Sequence, residues 1–293
     1  MKYRVRHTTR YKYNAKVSQC YNLAYLIPRD TETQRLTSSQ VLIHPQPDYS
    51  SRRSDYFGNQ IYHFTVHKPH NALEITTESQ IEINPSRRTL TLDFGNNCAQ
   101  ARELLYQLSD ATTLSAREYL LDSPLITPNA QLADYARPSF SDDRPLLSAV
   151  SELTERIHTD FTYDPTSTNV STPLVEVMEK RRGVCQDFAH LAIGCLRSLG
   201  FPARYISGYL ETLPPPGQQK LVGADASHAW LSVYSPLEGW FEFDPTNNKM
   251  ATEQHIVTAW GRDYSDVSPL KGVIFGGGDS QVLSVEVDVQ RTE

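Results

Sequence analysis

Through residues 1 to about 95, apolar and polar residues alternate one for one, as in YRVRHTTRYKY, SQVLIHPQP, QIYHFTVHK and LEITTESQIEI. Past DFGNN the apolar spacing becomes three and four. This change of period constrains the fold more than any other feature of the chain. Alternation suits antiparallel strands with one buried face, and turn signals such as RRSDYFGNQ separate them. The segments AQARELLYQLS, SAREYLL, NAQLADYA and PLLSAVSELTERIHTDF have helical spacing instead, and the prolines at 124, 128, 138, 145, 165 and 173 keep these helices short. A further helix follows, with Phe188, Leu191, Ala192, Cys195 and Leu199 as its apolar stripe and Gly200 and Pro202 ending it. Strand patterns resume in ARYISGYL, SHAWLSVYS, GWFEFDPT, HIVTAWGRDY and SQVLSVEVDVQ.

The expected class is therefore α+β. An N-terminal antiparallel β domain covers 1–95, and a second domain covers 96–293, helical over 96–200 and a sheet over 201–293. A linker is expected near 95–100.

The balance of 28 Lys+Arg against 34 Asp+Glu, with no long run of either sign, argues against nucleic acid or an anionic membrane as partner. The opening MKYRVRHTTRYKYNAK lacks the apolar core of a secretory signal, and no stretch approaches the roughly 18 apolar residues of a membrane span. Four cysteines without ligand spacing predict free thiols in a reducing cytoplasm, with no metal and no cofactor.

Cys185 sits where the basic stretch EKRRG meets the start of the striped helix. Unpaired N–H groups and the macrodipole at a helix start favour a thiolate, and Arg181 and Arg182 lie just upstream. Cys195 falls inside the stripe and reads as core. Cys20 is expected at a loop or strand edge and Cys98 at the linker, neither with a base in view.

A nucleophilic thiol needs a base, and the base needs a group that fixes its tautomer. His228 opens HAWLSVYS and Asp244 closes GWFEFD, with only SPLEG between the two segments. A hairpin brings the start of the first strand beside the end of the second, so His228 is expected near Asp244. Glu242 ranks second as orienter. His190, five residues beyond Cys185 on the helix, points elsewhere. His63, His67 and His70 fit a half-exposed strand better than a metal site.

These residues lie in RRGVCQDFAHLAIGCLRSLGFPARYISGYL, DASHAWLSVYSPLEGWFEFDPTNN and GRDYSDVSPLKG, with FTYDP upstream. Together the motifs resemble the bacterial branch of the transglutaminase-like superfamily, whose papain-like core carries Cys, His and Asp in this order behind an N-terminal β domain. The resemblance implies a catalytic helix packed on an antiparallel sheet and acyl transfer through a thioester. Cys185 would be the nucleophile, His228 the base and Asp244 its orienter.

Further roles follow as expectations. Tyr163 or Gln186 would join the Cys185 backbone N–H in an oxyanion hole. Trp230, Trp240, Tyr163 and Tyr209 would wall a peptide groove, with Arg262 and Tyr264 near the cleft and LPPPGQQK as a rim. Asp187 and Arg204 would brace the helix against the first strand. No acidic calcium loop is visible. The expected activity is that of a cysteine protease or amidase, or a transglutaminase, on a peptide or protein substrate; the alternative is a non-catalytic peptide- or protein-binding module on the same fold.

Overall fold

The computed structural model describes residues 1–84, 91–212 and 226–292. The first strand, β1 (Lys2–Ala24), is the spine of one sheet, and its alternation buries Tyr3, Val5 and His7 on a single face. β2 (Gln34–His44), β3 (Tyr49–Ser54), β4 (Gln60–Val66) and β5 (His70–Ile83) complete the N-terminal part of that sheet in the order β2-β5-β1-β4-β3. β1 is long enough to change partners. Its first half pairs with β5 and its last residues pair with β4.

The helical stretch contains α1 (Cys98–Gln107), α2 (Ala111–Arg117), α3 (Ala130–Ala136) and α4 (Leu146–Asp160). Asn97, Asp110 and Asn129 cap α1, α2 and α3 by accepting from the third helical N–H, as short polar side chains at helix starts do. Then come β6 (Thr162–Tyr163), α5 (Leu174–Lys180), β7 (Arg182–Gly183) and α6 (Cys185–Ser198). The predicted stripe of α6 understates its burial, since every residue from Asp187 to Arg197 is buried. The sheet covers one side of this helix, and α3 comes so close on another that a Cβ on Gly194 would lie 2.9 Å from Leu132 Cδ1.

A second, five-stranded sheet holds β8 (Ala203–Leu210), β9 (Ala226–Ser235), β10 (Gly239–Asp244), β11 (Lys249–Met250) and β12 (His255–Gly261), in the order β11-β10-β9-β8-β12. Ala203, Tyr205, Ala229, Leu231 and Val233 face α6 and join the largest core with Phe188, Leu191, Ala192 and Cys195. After α7 (Tyr264–Val267) the chain leaves this sheet. β13 (Leu270–Gly276) and β14 (Gln281–Arg291) both pair antiparallel with β1, in registers such as Tyr21↔Val273 and Tyr3↔Arg291.

The expected partition into 1–95 and 96–293 is thus corrected, because the strands from 270 onward belong to the N-terminal sheet. Alternation marked SQVLSVEVDVQ as a strand, but partner choice is a long-range property that periodicity does not carry. The expected linker near 95–100 is docked structure: Asn96 Nδ2 donates to the Pro236 carbonyl at 2.7 Å, and Cys98 begins α1 fully buried. Cys20 lies in β1 rather than in a loop, buried with Phe64 and Val66.

Candidate active site

Cys185 is the first residue of α6, where backbone N–H groups have no intrahelical acceptor. The turn before it is built around Asp187, whose Oδ2 accepts from the Val184 N–H at 2.8 Å and from the Thr168 hydroxyl at 2.6 Å. Asp187 therefore shapes the helix start and does not pair with Arg204. Arg204 donates to Ser232 Oγ and lies over the Trp240 and Trp260 rings. Arg181 and Arg182 face Asp160 and Asp164, both exposed pairs that solvent screens.

All four cysteines are free, and their environments differ. Cys20, Cys98 and Cys195 are buried, whereas Cys185 is half-buried. Burial pushes the thiols of Cys20 and Cys195 up and that of Cys98 up to about 11, which makes all three poor nucleophiles.

His228 is the third residue of β9, and Cys185 lies close enough to its ring to raise the imidazole's pKa. Its Nε2 lies 2.8 Å from Asp244 Oδ2 at the end of β10, as the hairpin reading anticipates. Nδ1 is the nitrogen left for Cys185. Asp244 is completely buried and accepts five hydrogen bonds. Oδ1 takes the N–H groups of Thr246 and Asn247 at 3.0 and 3.2 Å, and Oδ2 takes Asn247 Nδ2 at 2.7 Å, His228 Nε2 and His255 Nε2 at 3.1 Å.

Burial alone would raise the Asp244 pKa, yet the bonds from His228 and His255 hold the carboxyl far below the usual carboxylate range. For His228, burial opposes the charged ring, but the hydrogen bond to Asp244 and the proximity of Cys185 outweigh it and raise the imidazole to about 9. An anionic carboxylate and an imidazolium are therefore mutually stabilising in this arrangement.

The remaining expected residues separate into those near the thiol and those away from it. Tyr163 pairs through β6 with Gly183 in β7, two residues before Cys185, and its ring meets Phe188 edge-on at 6.5 Å. It is 53% exposed, and burial together with the nearby Cys185 charge raises its pKa. Gln186 directs its amide to the Val170 carbonyl at 3.4 Å. Tyr264 borders Tyr205 at 6.3 Å, and its N–H donates to His190 Nε2 at 3.1 Å. Arg262 forms a two-pronged pair with Asp266 at 3.0 and 2.9 Å.

Trp230 and Tyr209 do not wall an open groove. Trp230 is fully buried, and its ring lies 5.9 Å from that of His228 at 27°. Tyr209 is buried against His7, and both line a cavity of about 10 Å³ with Ser207, Ser227 and Thr258, room for one water. Alternation assigns residues to faces but does not say that both faces of this sheet are covered. Trp240 lies at the opposite end of β10 from Asp244, against Tyr119 and Tyr234. Glu242 accepts from Trp230 Nε1 at 2.8 Å and does not touch His228. LPPPGQQK lies outside the described residues.

Sequence reasoning missed His255, Asn247 and Tyr205. Tyr205 is buried on β8 close enough to Cys185 to feel its charge. Its signal was its shared face with Ala203 in ARYISGYL. His255, at the start of HIVTAWG, carries no motif. Among the described residues, His228, Asp244 and His255 form the set whose ligand atoms could meet on a metal ion, and in this structure those atoms are hydrogen-bonded to one another. His63, His67 and His70 share no such point; they meet Tyr49, Tyr21 and Tyr13 respectively.

Residues 3–82 match the bacterial transglutaminase-like N-terminal region, and residues 133–245 match the transglutaminase-like superfamily. The chain belongs to the transglutaminase-like superfamily. An uncharacterized protein of Mycobacterium tuberculosis is 41% identical over 98% of this chain and 92% of its own length. One of Mycobacterium leprae is 32% identical over 98% of both. A protein-glutamine gamma-glutamyltransferase of Pseudomonas aeruginosa is 30% identical over 116 residues, 39% of this chain and 17% of that protein. The fold of the whole chain has a solved counterpart. A Cytophaga hutchinsonii protein solved as a candidate cysteine protease superposes on all of it and on 91% of its own chain, with a TM-score of 0.77 at 21% identity. No helix among the described residues is long and apolar enough to cross a membrane.

Proposed function

We propose that this member of the superfamily is a cysteine-dependent acyl-transfer enzyme acting on carboxamide or peptide bonds of a peptide or protein, and that water is its usual acceptor. The observation that carries the proposal is the His228–Asp244 hydrogen bond at 2.8 Å, buried beside the half-buried Cys185 thiol at the start of α6. In this reading the Cys185 thiolate attacks the carbonyl carbon while Asp244 holds the His228 ring through Nε2–H. His228 Nδ1–H then gives its proton to the leaving amine, and a thioester remains on Sγ. Water, deprotonated by the same nitrogen, hydrolyses the thioester; an amine acceptor in its place would make a new amide.

The Cys185 N–H at the helix start and the Tyr163 hydroxyl are the proposed oxyanion donors. Tyr163 ranks ahead of Gln186 because the Gln186 amide is already directed at Val170. Four free thiols accord with a reducing cytoplasm as the setting. Nucleic acid and membrane surfaces are not among the proposed partners.

The test is the alkylation rate of each cysteine by iodoacetamide from pH 4 to 9, followed by peptide mass spectrometry in the parent and in His228→Ala. Cys185 is expected to react faster than the three buried thiols across this range and to lose that advantage without His228. Ammonia release from carboxamide peptides, with and without added amine, then separates hydrolysis from transfer, and Cys185→Ala abolishes both. A Cys185 no more reactive than free cysteine, and indifferent to His228, would replace the enzyme reading with that of a binding module.

A further inference from the structure

We infer that His255 is a positioning residue that shares Asp244 Oδ2 with His228 and so limits how tightly the carboxylate holds that ring. The inference deepens the proposed function and rests on His228 being the base.

The tautomer of His255 follows from its partners. The Thr252 N–H donates to His255 Nδ1 at 3.1 Å, so that nitrogen is the acceptor and the proton of the neutral ring is on Nε2. Nε2–H then donates to Asp244 Oδ2 at 3.1 Å. The same oxygen receives His228 Nε2 at 2.8 Å and Asn247 Nδ2 at 2.7 Å. A carboxylate oxygen offers about two lone pairs, and here three donors share them. The other oxygen is engaged by two backbone N–H groups. With the side chains of Asp244 and His255 0% and 1% exposed, solvent does not relieve the competition.

The titratable groups facing His228 are Cys185 from α6, Asp244 from β10 and His255 from β12; Trp230 and Asn247 carry no charge. Of these, His255 is the one that weakens the pull of Asp244 on the base without adding a charge. An imidazolium held too strongly is a poor acid toward a leaving amine, and sharing the carboxylate oxygen moderates that hold.

Two measurements decide the matter, and neither needs a substrate. In the unmutated protein, ¹⁵N-histidine NMR should find His255 protonated on Nε2 and bare on Nδ1; the opposite tautomer overturns the inference. In ¹³C-histidine titrations, His255→Phe should raise the His228 midpoint by about half a unit or more, while His255→Gln, which keeps a donor near the Nε2 position, should stay within about 0.2 unit of the parent. No change or a fall in His255→Phe, or a rise of equal size in His255→Gln, overturns it. Should His255→Phe not fold, the Gln variant and the tautomer carry the test. An inert Cys185 in the alkylation assay would sink the acyl-transfer reading alone, leaving the His228 titration to decide whether His255 shares the carboxylate.

Discussion

Trp230 lies nearly parallel to His228, 5.9 Å between ring centroids, and its indole N–H is tied to Glu242 at 2.8 Å. His255 meets the same indole edge-on at 5.2 Å, so one buried tryptophan backs both imidazoles of the site. Trp230→Ala should lower stability by about 3–5 kcal/mol in urea unfolding, the usual cost of emptying a large buried aromatic site. Trp230→Phe retains an aromatic backing but leaves the Glu242 carboxylate without its donor. It should cost less than the Ala change, and unequal midpoints for the two variants would confirm that the ring itself matters.

Gly208 pairs with His228 across β8 and β9. A Cβ there would lie 2.1 Å from the Ile256 carbonyl oxygen and 2.5 Å from Trp230 Cη2, and the backbone contact has no room to give. Gly208→Ala should therefore destabilise the protein by about 3 kcal/mol through overpacking. A calorimetric Tm equal to the parent's would show that β12 can shift aside.

Cys195 separates packing from chemistry. It is fully buried in the main core between α6 and the second sheet. Cys195→Ala should cost about 1 kcal/mol as a small truncation and leave Cys185 alkylation unaltered. Cys185→Ala should scarcely affect unfolding. The reverse pattern would exchange the two assignments.

Burial pushes the His7 imidazole down to about 4, so the folded protein binds its proton less readily than the unfolded chain does. Stability from this residue is present above the unfolded value of about 6.5 and is lost as pH falls through about 4, on the order of 3 kcal/mol in all. His7→Phe should flatten that acid loss in urea titrations between pH 7 and 4. An unchanged slope would point to His190, whose pKa burial also lowers.

The part of the site legible in the sequence was the part made by local connections. A short turn between two alternating strands placed His228 beside Asp244, and the observed registers of Trp240 with Tyr234 and Phe243 with Leu231 are those of that hairpin. The position of Cys185 followed from a glycine, a basic stretch and the start of an apolar stripe. His255 reaches Asp244 from β12, which lies beyond β8 and β9 in the sheet, and no spacing rule predicts a neighbour across two strands. The misplaced groove residues have a related cause. Period-two patterns tell which side chains share a face, but whether solvent reaches that face depends on layers contributed by distant segments. For Tyr209 that layer is β1, β5 and β14, whose Val5, Ile81 and Val289 pack in the same cluster.

The pairing of β1 with β14 has a consequence for biosynthesis. β1 is made before α6 and the second sheet, and the neighbour that closes its outer edge only after them. Until then β1 has β5 on one side and an open row of peptide groups along the other, from Tyr3 to Tyr13. The N-terminal sheet is therefore begun before the helices and the second sheet and finished after them, so this strand edge stays open while the segment between β5 and β14 is made.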